Sequence, residues 1–108
     1  MKGQSESDNR VKALSLLGLA RRAGLLLIGQ DSILRASNSR LFIVRTEDCS
    51  QSVLRKIERR LIERGSVCFV INGVSRERLG GSIGANSAQI AALPIESGLA
   101  KNLAELLQ

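Results

Sequence analysis

The chain has 108 residues, 44% of them hydrophobic and 24% charged, which is the balance of a single globular domain. Its two cysteines lie 19 residues apart and it contains no histidine, so a Cys/His zinc site and a Cys-His nucleophile are excluded and acid-base catalysis at neutral pH is disfavoured. Twelve Arg and four Lys against ten acidic residues give a net charge of +6, which favours a polyanionic partner, with RNA or DNA as the first candidates.

The N-terminal part of the sequence predicts a polar lead-in followed by a helix. Residues 1–10, MKGQSESDNR, contain no apolar stretch, so we expect a flexible segment rather than a signal peptide, and a cytoplasmic protein. Residues 11–24, VKALSLLGLARRAG, are apolar around most of a helical circumference, which predicts a helix against a sheet and a neighbour, with Gly24 as its C-cap. No apolar run approaches the roughly 20 residues of a membrane span, so we expect no membrane partner.

The next segments alternate between short apolar runs and helical patterns. LLLI (25–28) and LFIV (41–44) are predicted strands, and DSILRASNS (31–39) between them is a predicted short helix. Asp48 is the predicted N-cap of an amphipathic helix that ends near Gly65. We expect its cationic face to be solvated, with a second RNA surface as the alternative, because Glu58 and Glu63 interrupt it. The cationic side chains of this face are Arg55, Lys56, Arg59, Arg60 and Arg64.

The C-terminal part completes the alternation. VCFVI (67–71) and QIAAL (89–93) are predicted buried strands, Ser75 is the predicted cap of a helix over 75–83, and Ser97 or Glu96 begins a last helix. Alternating helices and apolar strands predict the α/β class, with a four-stranded sheet, mixed or parallel, covered by helices on both faces.

Four stretches, in this order, resemble the signatures of the kink-turn-binding ribosomal-protein superfamily, named for ribosomal proteins L-seven-Ae and L-thirty-e. They are LLGLARRAGLLLIGQDSILRA, LFIVRTEDCS, RERLGGSIG and SGLAKNLAELL. The likeness covers residues 11 to about 106 and is nearest to the small bacterial members of the YlxQ type. It implies a three-layer α/β/α sandwich around a four-stranded mixed sheet, formed by residues 11–108 as one domain. It also implies a monomeric, non-enzymatic protein without a cofactor, which is ribosome-associated or binds a structured, kink-turn-like RNA.

The same resemblance implies where RNA is contacted. In the family, the glycine after the first strand lets the backbone approach RNA, and the residues that open the next helix enter the kinked duplex. A basic residue before the fourth helix and a loop after it, whose apolar side chains usually pack on a flipped-out nucleotide, complete the surface. The corresponding residues here are Gly29, Gln30, Asp31, Ser32, Arg35, Arg76, Ala85, Asn86 and Ser87. Without the resemblance, Gly29 would be a turn glycine and Asp31 an ordinary N-cap.

Two departures from the family pattern bear on specificity. Kink-turn readers of the archaeal and eukaryotic type carry Asn and Glu at the positions of Asp31 and Ser32. An ionised Asp only accepts hydrogen bonds and repels phosphate, and Ser reaches less far than Glu. Arg45 replaces a usually apolar residue, and either lines the RNA face or emerges at a strand end. The alternative hypothesis is therefore a protein-interaction adaptor that retains the fold and has lost kink-turn recognition.

Overall fold

A computed structural model describes residues 6–36 and 38–108. Within these ranges the elements follow one another as the sequence predicts. In chain order they are α1 (Glu6–Arg22), β1 (Leu27–Ile28), α2 (Gln30–Arg35), β2 (Leu41–Thr46), α3 (Gln51–Arg60), a 3-10 turn (Ile62–Arg64), β3 (Val67–Ile71), α4 (Arg76–Ser82), β4 (Ile90–Pro94) and α5 (Gly98–Leu107). No helix in the two described ranges is long and apolar enough to cross a membrane.

The strands form one mixed sheet in the order β1-β4-β2-β3. β4 runs antiparallel to both β1 and β2, whereas β2 and β3 are parallel. The register pairs Ile28 with Ala91, Arg45 with Ile90, and Thr46 with Ile71. The ends of β1, β2 and β3 therefore meet the start of β4, and we call this edge of the molecule the Gly29 end.

Helices cover both faces of the sheet, as predicted. One face carries α1, α4 and α5, and Leu17 and Leu103 are fully buried there. The other face carries α2 and α3, and Ile33 and Ile57 are buried there. Because successive side chains of a strand point to opposite faces, β2 supplies Val44 to the first core and Ile43 to the second. The architecture is the three-layer α/β/α sandwich.

α1 begins before its predicted start. Glu6–Arg10 belong to the helix and not to the polar lead-in that we predicted, whose first five residues lie outside the described part. The helix is closed by Gly24, which has φ +76 and whose amide donates to the Arg21 carbonyl at 3.1 Å. The Leu25 amide donates to the Ala20 carbonyl at 2.9 Å, which completes a Schellman motif and confirms the predicted C-cap.

Serine side chains cap three of the helices. Ser50, Ser75 and Ser97 each accept a hydrogen bond from the backbone amide three residues later, at 3.3, 3.1 and 3.2 Å. Ser75 and Ser97 were predicted as caps, but the predicted cap of α3 at Asp48 is wrong. α3 is capped by Ser50, and the Asp48 carboxylate pairs with Arg76 instead.

The two edge strands are less buried than their apolar sequences predict. Both residues of β1 and four of the five residues of β3 are half-buried. Each of these strands has a neighbour on one side only, and an apolar run does not by itself distinguish an edge strand from a central one. The prediction that β3 is a fully buried strand is therefore wrong, although its bounds are correct.

Candidate nucleic-acid interface

The turn between β1 and α2 is open on its outer side. Gly29 has φ 88 and ψ 157, a backbone conformation essentially restricted to glycine. Its amide donates to the Ile90 carbonyl at 3.1 Å, which ties the turn to the first residue of β4. A Cβ on Gly29 would meet no atom within 4 Å, so a ligand can approach this backbone closely.

The start of α2 presents polar groups beside this opening. Gly29 provides no side-chain cap, so the first amides of the helix are left to solvent or a ligand. Asp31 and Arg35 are exposed and Ser32 is half-buried. The side-chain oxygen of Gln30 is buried without a hydrogen-bond partner among the described residues. Such an unpaired acceptor is unfavourable by about 1–3 kcal/mol, and a ligand donor that drew the amide outward would relieve it.

The loop between α4 and β4 lies close against α4. The Ala85 amide donates to the Gly80 carbonyl at 2.8 Å, and a Cβ on Gly80 would lie 2.6 Å from the Ser87 Cα. Asn86 and Ser87 are exposed, while Ala85 is half-buried. The loop is therefore held in place by backbone contact and offers small polar side chains to solvent.

Arg76, the first residue of α4, holds two loops together. Its Nη2 donates to the Asp48 carbonyl oxygen at 2.8 Å, and its Nε lies 3.6 Å from the Asp48 carboxylate. Its own carbonyl accepts the Ala88 amide at 3.0 Å. The Arg76 side chain is 43% exposed, so part of it faces solvent, and its guanidinium group contacts Asp48. Because the Asp48 carboxylate lies beside it, Arg76 attracts an anionic ligand less strongly than its predicted role implies.

The Asp48 carboxyl has a pKa below its ordinary value. The main cause is the neighbouring Thr46 side chain; desolvation opposes the shift, and Arg76 adds to it. The buried Thr46 hydroxyl does not meet hydrogen-bond geometry with any described atom, but it lies near enough to favour the ionised carboxylate. Asp48 therefore keeps a negative charge at this surface at neutral pH.

Three consecutive residues, 88–90, connect the Gly29 turn, the end of β2 and the start of α4 through backbone hydrogen bonds. Ile90 accepts the Gly29 amide, Gln89 accepts the Thr46 amide at 3.0 Å, and the Ala88 amide donates to Arg76. The nine predicted site residues come from three separate stretches of sequence. The sheet register brings these stretches to the Gly29 end, with Arg35 in the last turn of α2.

Arg45 lies near the end of β2, which agrees with the alternative that it emerges at a strand end. It is half-buried, and its Nη1 donates to the Thr46 carbonyl at 3.1 Å. Contact between Arg45 and RNA stays a prediction. Arg10 was not among the predicted site residues, and its Nε donates to the Asn72 carbonyl oxygen at 2.6 Å at the Gly29 end. Its position in the predicted polar lead-in gave no indication of this contact.

The cysteine thiols lie in the core between α3 and the sheet. Burial raises the pKa of Cys68 to about 11 and also raises that of Cys49, and both thiols are free. The Cys49 side chain is buried and that of Cys68 is half-buried. Across residues 6–36 and 38–108, no three His, Cys, Asp or Glu side chains are grouped so as to hold a metal ion.

The chain resembles known proteins in structure. No family model matches the chain, and no curated protein matches it in sequence. A protein of unknown function from Bacillus halodurans C superposes with a TM-score of 0.74 at 27% identity, covering 88% of this chain and 95% of that one. The Giardia lamblia 15.5kD RNA binding protein superposes with a TM-score of 0.72 at 14% identity, covering 92% and 84%.

The chain shares the fold of that RNA-binding protein. The similarity concerns the fold alone, and membership of the kink-turn-binding superfamily stays a prediction. The nearer likeness to the YlxQ type stays a prediction.

Proposed function

We propose that the protein is a non-enzymatic RNA-binding protein and that the Gly29 end of the sheet is its RNA interface. The observation that carries the proposal is the convergence of an open glycine turn, an uncapped helix start and a polar loop at that end. The net charge of +6 supports a polyanionic partner. The fold shared with an RNA-binding protein supports the same class of partner.

The chemistry of the surface indicates how RNA would be held. Arg35 is exposed and offers a charge-assisted hydrogen bond to phosphate. Asp31 only accepts hydrogen bonds, so its partner must be a donor such as an exocyclic amine of guanine or cytosine rather than a phosphate. Asn86 and Ser87 supply neutral donors and acceptors. We propose a structured, kink-turn-like RNA, in a ribosome-associated role in the cytoplasm, bound by a monomer.

One observation favours a second candidate, an adaptor that binds a protein. The exposed carboxylates of Asp31 and Asp48 place two negative charges at the Gly29 end, and Asp48 also occupies part of Arg76. Both features weaken a phosphate-binding surface. An adaptor would bind a kink-turn stem no better than an unrelated RNA of the same length.

Two matched charge reversals test the proposal. Arg35 and Arg21 are both exposed and both lie in the last turn of a helix, so Arg35→Glu and Arg21→Glu carry the same helix penalty and the same change in net charge. Arg35→Glu should weaken binding to a kink-turn stem by about 1–3 kcal/mol, the size of a lost charge-assisted contact. Arg21, on the opposite face of the sheet, should matter little.

The comparison is made by electrophoretic or calorimetric titration, after circular dichroism shows that both variants are folded. Equal losses would indicate non-specific electrostatic binding. An absence of RNA binding by the unmodified protein at low salt would favour the adaptor.

A further inference from the structure

α3 and the turn that follows it carry a concentrated positive charge. Between residues 51 and 64 there are five cationic and two acidic side chains, a net charge of +3, which is half of the +6 of the whole chain. All five cations are exposed: Arg55, Lys56, Arg59, Arg60 and Arg64.

The first four of these cations form two adjacent rows on the helix. Arg55 and Arg59 are four residues apart, as are Lys56 and Arg60, so each row places like charges one turn apart, an arrangement that destabilises a helix. An open depression of about 420 Å³ lies among Lys56, Arg59 and Arg60.

Acidic side chains relieve this repulsion only in part, because the segment holds two acidic residues against five cations. The salt bridges found within 6–36 and 38–108 join Lys12 to Asp8 and Arg76 to Asp48, and Glu58 takes part in neither of them. α3 buries Val53 and Ile57, and on a helical projection Glu58 lies on the flank opposite Lys56. The two rows therefore keep an excess of positive charge, and we call this surface the α3 basic face.

The α3 basic face continues the surface that starts at the Gly29 end. α2 and α3 cover the same face of the sheet. The N-cap of α3, Ser50, is tied to the Gly29 end because its amide donates to the Gln89 side-chain oxygen at 2.8 Å. From there the ten residues of α3 run about 15 Å away along the sheet.

We infer that the α3 basic face is a second phosphate-binding surface, which holds the backbone of an RNA stem that flanks the segment bound at the Gly29 end. The inference rests on the proposed function. Regularly spaced cations contact phosphates and carry no sequence information. The segment QSVLRKIERR contains no aromatic side chain on which unpaired bases could stack, so a duplex stem fits better than a single strand.

Two RNAs that share one internal loop test the inference. One has a short flanking stem, and in the other that stem is longer by one helical turn. The unmodified protein should bind the long-stem RNA about tenfold more tightly, with a salt slope steeper by about 2–3 for some three added phosphate contacts. The triple variant Arg55→Gln/Arg59→Gln/Arg60→Gln should lose this gain and keep its affinity for the short-stem RNA.

The control removes the same charge from the other face of the sheet. Arg21, Arg22 and Lys101 are exposed on α1 and α5, so Arg21→Gln/Arg22→Gln/Lys101→Gln should keep the full long-stem gain. Circular dichroism should show both triple variants folded, because no buried side chain is changed.

Each outcome decides between the proposals. A protein that binds the short-stem RNA but gains nothing from the long stem, or a gain that survives in the α3 variant, overturns the inference and leaves the proposed function standing. Binding to neither RNA overturns both. If the α3 variant loses binding to a poly-glutamate peptide but keeps the long-stem gain, the surface serves an acidic protein segment, and the inference is wrong.

Discussion

Gly29 has both an unusual backbone conformation and an open outer side. Its φ of 88 and ψ of 157 are strained for any side chain, and its outer side is open to an approaching ligand. The sequence shows a glycine after an apolar run, which is equally typical of an ordinary turn. The backbone angles and the open space above the residue are what make a close approach possible.

Substitution of Gly29 should therefore destabilise the protein without any steric clash. Gly29→Ala should lower the free energy of unfolding by about 1–3 kcal/mol, because alanine must adopt a glycine-only conformation. Gly81→Ala is the matched control, since a Cβ there also meets no atom within 4 Å but the residue lies inside α4. It should be neutral or stabilising by up to about 1 kcal/mol. Urea unfolding that gave the same midpoint for both variants would contradict the strain at Gly29.

Cys68 should be slow to react at neutral pH. Burial raises the pKa of its thiol from 9.0 to about 11, so thiolate is scarce in the folded protein. The rate of reaction with an aromatic disulfide reagent, measured on Cys49→Ser, should rise steeply as the pH passes from 9 towards 11. The protonated thiol is favoured by folding, so its contribution to stability is present below pH 9 and is lost over the same range. Rapid reaction at pH 8 would contradict its burial.

At the scale of elements, α2 is a short helix anchored by one fully buried side chain. Ile33 packs into the core beside α3, and the six residues of α2 are otherwise exposed or half-buried. The sheet therefore fixes the helix while its polar residues remain available for contact. A change of side-chain chemistry on this helix should alter binding more than folding.

Introducing at the start of α2 the residues that kink-turn readers carry should raise affinity for a standard kink-turn stem. Asp31→Asn supplies both a donor and an acceptor, and Ser32→Glu extends the reach of the side chain. The double variant keeps the net charge, because one carboxylate is lost and one is gained, so a gain in a binding titration cannot come from bulk electrostatics. Unchanged weak binding would show that this turn does not read kink-turn RNA.

The sequence predicted the helices, the strands and most of the helix caps better than it predicted the contacts between these elements. The caps at Gly24, Ser75 and Ser97 follow from local patterns and are confirmed. Asp48 also fits a local capping pattern, but Arg76, 28 residues later, pairs with it, and no local pattern contains that contact. Strand order is likewise not encoded in periodicity. The residues of the site could be predicted from the resemblance, but their meeting at one end depends on the register of β4.

At the scale of the whole molecule, the positive charge is spread unevenly. Half of the net +6 lies between residues 51 and 64, while Asp31 and Asp48 lower the charge at the Gly29 end. Under the proposed function, different parts of the surface would therefore provide the long-range attraction and the specific contact. The strength of such attraction falls as the salt concentration rises, because phosphates that bind Arg or Lys side chains release counterions.

The salt dependence of binding should report the number of phosphate contacts. With about four to six contacts, the logarithm of affinity for a structured RNA should fall with the logarithm of salt concentration at a slope of roughly −3 to −5. The slope is measured by fluorescence titration across a series of potassium chloride concentrations. A slope near zero would mean that phosphates are not the main contacts.

The location of the interface is tested most directly by NMR titration of the labelled protein with a kink-turn stem at low salt. The largest changes in amide chemical shift should fall on residues 29–35, Arg76 and residues 84–88, with further changes along α3. Amides of α5 near Lys101, on the opposite face of the sheet, should change little. Changes concentrated on α1 and α5, or no changes at all, would contradict the assignment of the Gly29 end as the RNA interface.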